Sequence, residues 1–342
     1  MLRIVTTMKI NVDTMKIISY NKHVNESEYR QMLNVAPIET TYAIQTSFNN
    51  TWLEDFINYV DATEATITTY KRALKQFALF LQVNGITAPV REDIISFREA
   101  LKLNHQPATV QLYIVAVKQF FKWADLKGLY KNVADHVKGA KITRLHKRDS
   151  LTADQVKHII SNMDADTVAE KRDYAIFLLM VTAGLRTIEV SRANLEDLRT
   201  LGNYTVLYVQ GKGRDDKSEY VKVTAKVEHA IRDYLAVAPT KEPTDALFTS
   251  TSNNSKGKRL STRTLRGIIK DQFIKNGYNS NRLTAHSLRH TTATVNILNG
   301  GTLEETQQLL RHQNITTTMI YNHSLKRINN MSEDRITDAL FC

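Results

Sequence analysis

The chain has 342 residues, 42% hydrophobic and 24% charged, long enough for two cores and unlike a disordered or collagenous chain. Lys and Arg number 46 against 35 Asp and Glu, and the resulting +11 favours a polyanionic partner, with nucleic acid ahead of a membrane surface because no apolar run is long enough to span one. The single cysteine, Cys342, excludes an intrachain disulfide and a cysteine metal cluster and fits a reducing cytoplasm.

Residues 1–46 show no sustained periodicity and no signal-peptide core, and an accessory arm, a leader and an upstream start all stay open. From there Trp52, Phe56, Ile57 and Val60 recur at helical spacing, and Ile67, Tyr70, Leu74, Phe77 and Leu81 follow until Gly85. A third helix is expected around 94–103. A fourth carries Val110, Tyr113, Ile114, Val117, Phe121 and Ala124 before Gly128. This predicts a helical module over 47–135. Lys71, Arg72, Lys75, Lys118 and Lys122 lie mostly off its apolar stripes, as on helices tracking phosphates or on an ordinary solvated face.

Over 136–149 the apolar period fades while Lys141, Arg144, Lys147 and Arg148 gather, which reads as a basic linker crossing nucleic acid or a plain hinge. A second domain, 150–325, opens at SLTADQVKHII with Thr152 as N-cap, and DYAIFLLMVTAG is its strongest helix. YTVLYVQGKGRDDKSEYVKV reads as two strands joined by a polar turn. Helices are expected near 226–237, 262–275, 286–298, 303–311 and 315–321. The tail, 326–342, spaces Ile328, Met331, Ile336 and Leu340 like an amphipathic helix, for docking on a neighbouring protomer or on its own domain.

Four local patterns carry chemistry. In AGLRTIEVSRANLEDL, Arg186 and Glu189 stand three apart in an apolar frame, where an arginine needs an acidic partner or a bound anion. In GKGRDDK, Lys212 sits between glycines on a turn; it is either solvated or a proton donor, and the order is wrong for a P-loop. TAHSLRHTTATVNIL places His286, Arg289 and His290 on one helical face. A metal is disfavoured there, because serine replaces the glutamate of a zincin and Arg289 opposes a cation. In LLRHQNITTTMIYNH, His312 ends a helix and Tyr321 follows nine residues later, a core filler or a nucleophile.

Taken together these patterns resemble the tyrosine recombinase family of phage-type integrases, which includes Xer-like and conjugative-transposon integrases. GLR with its acidic follower matches Arg186 and Glu189, the hairpin lysine Lys212, and HxLRH His286, Arg289 and His290. The later histidine matches His312 and the nucleophile Tyr321, 32 residues after Arg289. Arg311 departs from the family pattern, which has glycine before that histidine, and residues 1–46 have no match.

The resemblance implies a mainly α fold with a small antiparallel β-hairpin sheet, built as a two-domain C-shaped DNA clamp: a helical, SAM-like core-binding domain and a catalytic domain. It implies a site-specific recombinase of bacterial cytoplasm or nucleoid that cleaves and rejoins strands through a covalent 3′-phosphotyrosyl intermediate, without metal, ATP or other cofactor. The implied partner is double-stranded DNA carrying recombination sites, held by a homo-tetramer at a Holliday junction, the chain being a monomer in solution. The resemblance implies that Arg186 and Arg289 stabilise phosphate charge and His286 is the base. Lys212 protonates the leaving oxygen, His312 bonds the phosphate, and Glu189 and His290 support them. Integration or excision of a mobile element is the leading role. Chromosome or plasmid dimer resolution, a type IB topoisomerase and a silent DNA binder on the same scaffold are the alternatives.

Overall fold

The computed structural model describes residues 50–142, 149–211, 213–240, 242–321 and 330–341. Lys212, Arg144, Lys147 and Arg148, residues 1–46 and Ile328 lie outside the described residues. The chain divides into two compact units, 1–144 and 145–342.

Among the described residues the first unit has four helices, α1 (Asn50–Tyr59), α2 (Glu64–Val83), α3 (Arg91–Asn104) and α4 (Pro107–Leu126). Each buries a stripe at three- and four-residue spacing: Phe56 and Ile57, then Ala73, Leu74, Phe77 and Leu81, then Ile94, Phe97 and Leu101, then Val110 through Ala124. Pro107 opens α4, where the missing N–H costs nothing. Aromatic rings tie the stripes together, with Phe56 edge-on to Phe120 at 5.5 Å and Phe77 against Phe97 at 4.9 Å between centroids.

The stretch expected as a linker from 136 is drawn into this unit. Val137 is buried in the same core as Ala134, and Ala140 packs against it. The sequence conceals this because only two small apolar side chains do the packing. Arg98 Nη1 secures the segment at the Lys138 carbonyl at 2.6 Å. Lys118 is not free to reach outward, since its Nζ donates to the Val137 carbonyl at 3.2 Å. Lys71, Arg72, Lys75, Lys122 and Lys141 are exposed.

The second unit packs helices around α6. Its elements are α5 (Ala153–Ser161), α6 (Val168–Ala183), α7 (Thr187–Arg192), β1 (Leu198–Leu201), β2 (Tyr204–Val209), β3 (Glu219–Val223), α8 (Ala225–Leu235), α9 (Thr262–Lys275), α10 (Ala285–Leu298), α11 (Leu303–Leu310), a short helix α12 over 316–321, and α13 (Ser332–Phe341). Thr152 caps α5, its Oγ1 accepting from the Gln155 N–H. α6 is buried nearly all round, from Ala175 to Met180, which is why its sequence is apolar without a polar face.

The sheet has three antiparallel strands in the order β1-β2-β3, so the expected hairpin gains an edge strand. Leu198 pairs with Leu207 and Leu201 with Tyr204 around a two-residue turn, while Tyr208 faces Tyr220 across the β2–β3 pair. β1 escapes sequence reading because it is four residues long and mostly exposed, with no alternation to detect. α13 is the helix expected in the tail, and none of its residues is buried; Ile336, Leu340 and Phe341 stand exposed.

Candidate active site

The site is assembled where α6, α7, α10 and α11 end or begin. α6 stops at Gly184, which takes φ +59° in the left-handed region open to glycine. A Cβ there would fall 2.6 Å from Leu310 Cδ2, so any other residue would also have to displace that buried side chain. The chain then turns at once into α7, with Arg186 as its N-cap residue and Glu189 in its first turn.

Glu189 is completely buried and accepts three hydrogen bonds. Oε2 takes the Arg186 backbone N–H at 2.8 Å and Arg311 Nη2 at 2.9 Å, and Oε1 takes Arg186 Nη1 at 2.7 Å. Burial alone would raise its pKa. The charges of Arg311 and Arg186 and the backbone bond outweigh that, so the carboxyl is held below its ordinary value and stays ionised.

Arg289 lies on the buried side of α10 and is 1% exposed. Its Nη1 donates to the Gly184 carbonyl at 2.6 Å and its Nη2 to the Leu310 carbonyl, so one guanidinium joins the ends of α6 and α11. Burial and the neighbouring Arg186 charge push its pKa down to about 9, which leaves it protonated at neutral pH.

α11 ends at Arg311 with φ +52°, one of two non-glycine residues with positive φ among the described residues. That conformation costs an L-residue about 1–2 kcal/mol. The turn brings His312 into the site, where its Nδ1 shares a 2.9 Å hydrogen bond with Oγ1 of the buried Thr318. Burial, followed by the charges of Arg289 and Arg186, drives the pKa of His312 down to about 3, so the ring is neutral.

Tyr321 ends the described part of α12 and is 6% exposed. Its Oη lies 2.6 Å from Nδ1 of His290, a ring also buried on α10. The histidine meeting the phenol is therefore His290, one turn beyond the His286 expected as base. His286 is exposed, and its ring stands edge-on to His290 at 4.6 Å between centroids. Burial pushes the Tyr321 pKa up to about 12, against the opposing pull of Arg289 and Arg186.

These groups line one cavity of about 490 Å³: Arg186, His286, Arg289, His290, Arg311, His312 and Tyr321, joined by Gly211 and Arg214 from the β2–β3 turn and by Glu219 at the start of β3. Lys212 stands between two of those turn residues in the chain. The turn is tethered by Arg192 Nη1 to the Gly211 carbonyl at 3.3 Å and by Arg214 to Glu219 at 3.0 Å. Sequence reasoning missed Thr318, which no motif marks, and noted Arg311 only as a departure. The signal for Arg311 was the strained position itself, a non-glycine at a helix stop.

A model of the Phage integrase family matches residues 149–327, more than half of the chain, and a model of the Phage integrase, N-terminal SAM-like domain matches residues 50–128. The chain belongs to the phage integrase family. Tyrosine recombinase XerA of Pyrococcus horikoshii is 30% identical over 273 residues, covering 80% of this chain and 89% of the relative. Tyrosine recombinase XerC of Chlamydia muridarum is 29% identical over 307 residues, covering 83% and 95%. Among solved structures, the XerH site-specific recombinase in its post-cleavage complex with palindromic difH substrate superposes with a TM-score of 0.64 at 20% identity, covering 84% of this chain and 82% of that one. A lambda integrase dimer bound to a COC′ core site gives 0.62 at 16% identity, covering 78% and 96%. These structural likenesses show a shared fold. As a phage integrase family member with tyrosine recombinase relatives, the protein is an enzyme of site-specific DNA recombination that cleaves and rejoins strands.

Proposed function

We propose that the recombinase cleaves duplex DNA with Tyr321 as nucleophile, in the cavity where Arg186, Arg289 and His312 receive the scissile phosphate. The observation that carries this is the 2.6 Å contact between Tyr321 Oη and His290 Nδ1 within a cavity lined by arginines. A phenol held at a pKa of about 12 is protonated at neutral pH and needs a base at hydrogen-bond distance. With its Nε2 protonated, His290 accepts the phenolic proton at Nδ1 as Oη adds to phosphorus. The P–O5′ bond breaks, and the departing oxygen takes a proton from Lys212 on the β2–β3 turn. His286, exposed beside His290, and His312, neutral and steadied by Thr318, bond the nonbridging oxygens together with the arginines.

The product is a 3′-phosphotyrosyl enzyme and a free 5′ hydroxyl, which conserves the bond energy for rejoining. Attack by the 5′ hydroxyl of a second duplex reverses the step and exchanges strands. No energy source or cofactor enters that balance. The partner is double-stranded DNA carrying recombination sites, approached by the exposed Lys71, Arg72, Lys75, Lys122 and Lys141. Strand exchange takes two duplexes and four protomers, and a lambda integrase tetramer bound to a Holliday junction shares the fold with a TM-score of 0.60. The uncovered apolar stripe of α13 suits docking on a neighbouring protomer, since none of its residues is buried.

Integration or excision of a mobile element is the role we assign, with cytoplasmic DNA as the substrate. Dimer resolution is the second reading, favoured by the 26–30% identity to relatives named XerA, XerC and XerD. Tyr321→Phe should abolish covalent attachment to a nicked suicide duplex in a denaturing gel while DNA binding persists. An undiminished adduct would refute the assignment of Tyr321. Recovery of the recombination site separates the two roles, because attachment repeats flanking an element mark integration and a single chromosomal site marks resolution.

A further inference from the structure

Arg311 has no part in the reaction as just written, yet its placement is costly and specific. Its backbone holds φ +52°, its side chain is 5% exposed, and its Nε is buried without a hydrogen-bond partner. A surface arginine at a helix end would do none of this. The side chain turns inward, with Nη2 on Glu189 Oε2 at 2.9 Å and Nη1 on the Leu309 carbonyl at 2.8 Å and near that of Ala183 at 3.5 Å.

Those contacts link the segments that form the site. Ala183 precedes Gly184, whose carbonyl holds Arg289, and Leu309 precedes Leu310, which holds the other nitrogen of Arg289. Glu189 is the carboxylate that fixes Arg186. With Arg186 alone, Glu189 would form a simple buried ion pair and cancel the charge that a phosphate needs. A second guanidinium on the other oxygen divides that carboxylate, so two arginines share one negative charge. Arg311 lines the cavity wall, but its two Nη nitrogens are committed to Glu189 and to the carbonyls of Leu309 and Ala183, so it acts through Glu189 and the turn rather than by bonding phosphate.

We propose that Arg311 is a positioning residue of the recombination site: by sharing the Glu189 carboxylate with Arg186, it holds Arg186 in place and leaves that guanidinium its charge for the scissile phosphate. This rests on the reading of the cavity as the site of Tyr321 attack. Its consequence for Glu189 is independent of that reading. Glu189 faces Arg186 from its own turn, Arg311 from the end of α11 and Arg289 from α10. Removing Arg311 takes away the largest of the opposing charges and leaves only Arg186 to counter burial, which raises the Glu189 titration.

The test uses full-length Arg311→Gly and Arg311→Lys. Glycine relaxes the positive φ and so lets the backbone turn persist, while the melting temperature should fall because Glu189 loses one partner of a buried ion pair. With ¹³C-labelled glutamate, the Glu189 carboxyl should titrate at higher pH in Arg311→Gly than in the wild type and return part of the way in Arg311→Lys. On a nicked duplex that the wild type attaches to, adduct formation should slow about tenfold to a hundredfold, the scale of loss when a group that positions the reacting centre is displaced, with DNA affinity unchanged. An unshifted Glu189 titration overturns the proposal, whether or not the melting temperature falls. So does a wild-type cleavage rate in Arg311→Gly. Should Tyr321→Phe leave the adduct intact, the assignment of Tyr321 fails while the Glu189 titration still decides the role of Arg311.

Discussion

Arg289→Lys tests whether the site depends on a planar fork or only on positive charge. Arg289 spans two carbonyls on different helices, Gly184 and Leu310, and is 1% exposed. A single ammonium on a flexible stem cannot keep both bonds from that depth. Losing one charge-assisted hydrogen bond costs about 1.5–3 kcal/mol, a range that already contains the stranded carbonyl. For a unit the size of residues 145–342, that lowers the melting transition by roughly 3–12 °C. The same environment pushes Arg289 from 12.5 down to about 9. Lysine starts from about 10.4, so an equal push brings it close to neutrality. Differential scanning calorimetry should therefore show the lower transition. Cleavage should acquire a new descending limb as pH rises through neutrality, because the ammonium is then lost. A melting temperature within a degree of wild type, together with an unchanged pH profile, would refute this account of Arg289.

Gly184→Ala forces a Cβ to 2.6 Å from Leu310 Cδ2 at φ +59°, and the conformation alone costs about 1–2 kcal/mol; chemical denaturation should show at least that loss, along with impaired adduct formation. Thr318→Val keeps shape and removes the hydroxyl at His312 Nδ1, so cleavage should fall about tenfold as the ring loses its orientation, with a stability change of about 0.5–1.5 kcal/mol; equal cleavage rates would mean His312 needs no orienting partner. Glu189 has its folded pKa lowered below 4.5, so its contribution is fully present above that value and is lost as pH falls through the lowered one. Acid titration of stability should therefore be flatter in Glu189→Gln, and an identical acid limb would count against the triple hydrogen bonding.

How legible each part was in the sequence follows from how local its physics is. The first-unit helices could be read because their apolar stripes repeat at helical spacing over ten to twenty residues. β1 could not, since an exposed four-residue edge strand owes its existence to pairing with β2. Val137 reads as linker in the sequence because burial of one residue depends on what lies opposite. In the site, Arg186, Glu189, His286, Arg289, His312 and Tyr321 were named from short motifs, and the structure gathers them around one cavity. The pairing of Tyr321 with His290 was not legible, because His286 and His290 stand on successive turns of one helix and only the approach of α12 chooses between them. Thr318 was invisible for the same reason.

The two halves of this site are in electrostatic tension. Arg186, Arg289 and Arg311 carry three positive charges against the carboxylate of Glu189, Arg214 and Glu219 offset each other in the same cavity, and His312 is neutral. That excess ought to stabilise a phenolate, and Arg289 and Arg186 do pull the Tyr321 pKa down. Yet burial wins, and the phenol remains protonated and bonded to His290. The arginines and the tyrosine are therefore not tuned for one another at rest. The cationic excess is matched to a group outside the chain, a phosphodiester that enters with one negative charge and gains more as attack proceeds. The proton that keeps Tyr321 inert is handed to His290 only when that attack makes its loss favourable. A cavity with surplus positive charge and a suppressed nucleophile thus guards against stray electrophiles while remaining complementary to the transition state.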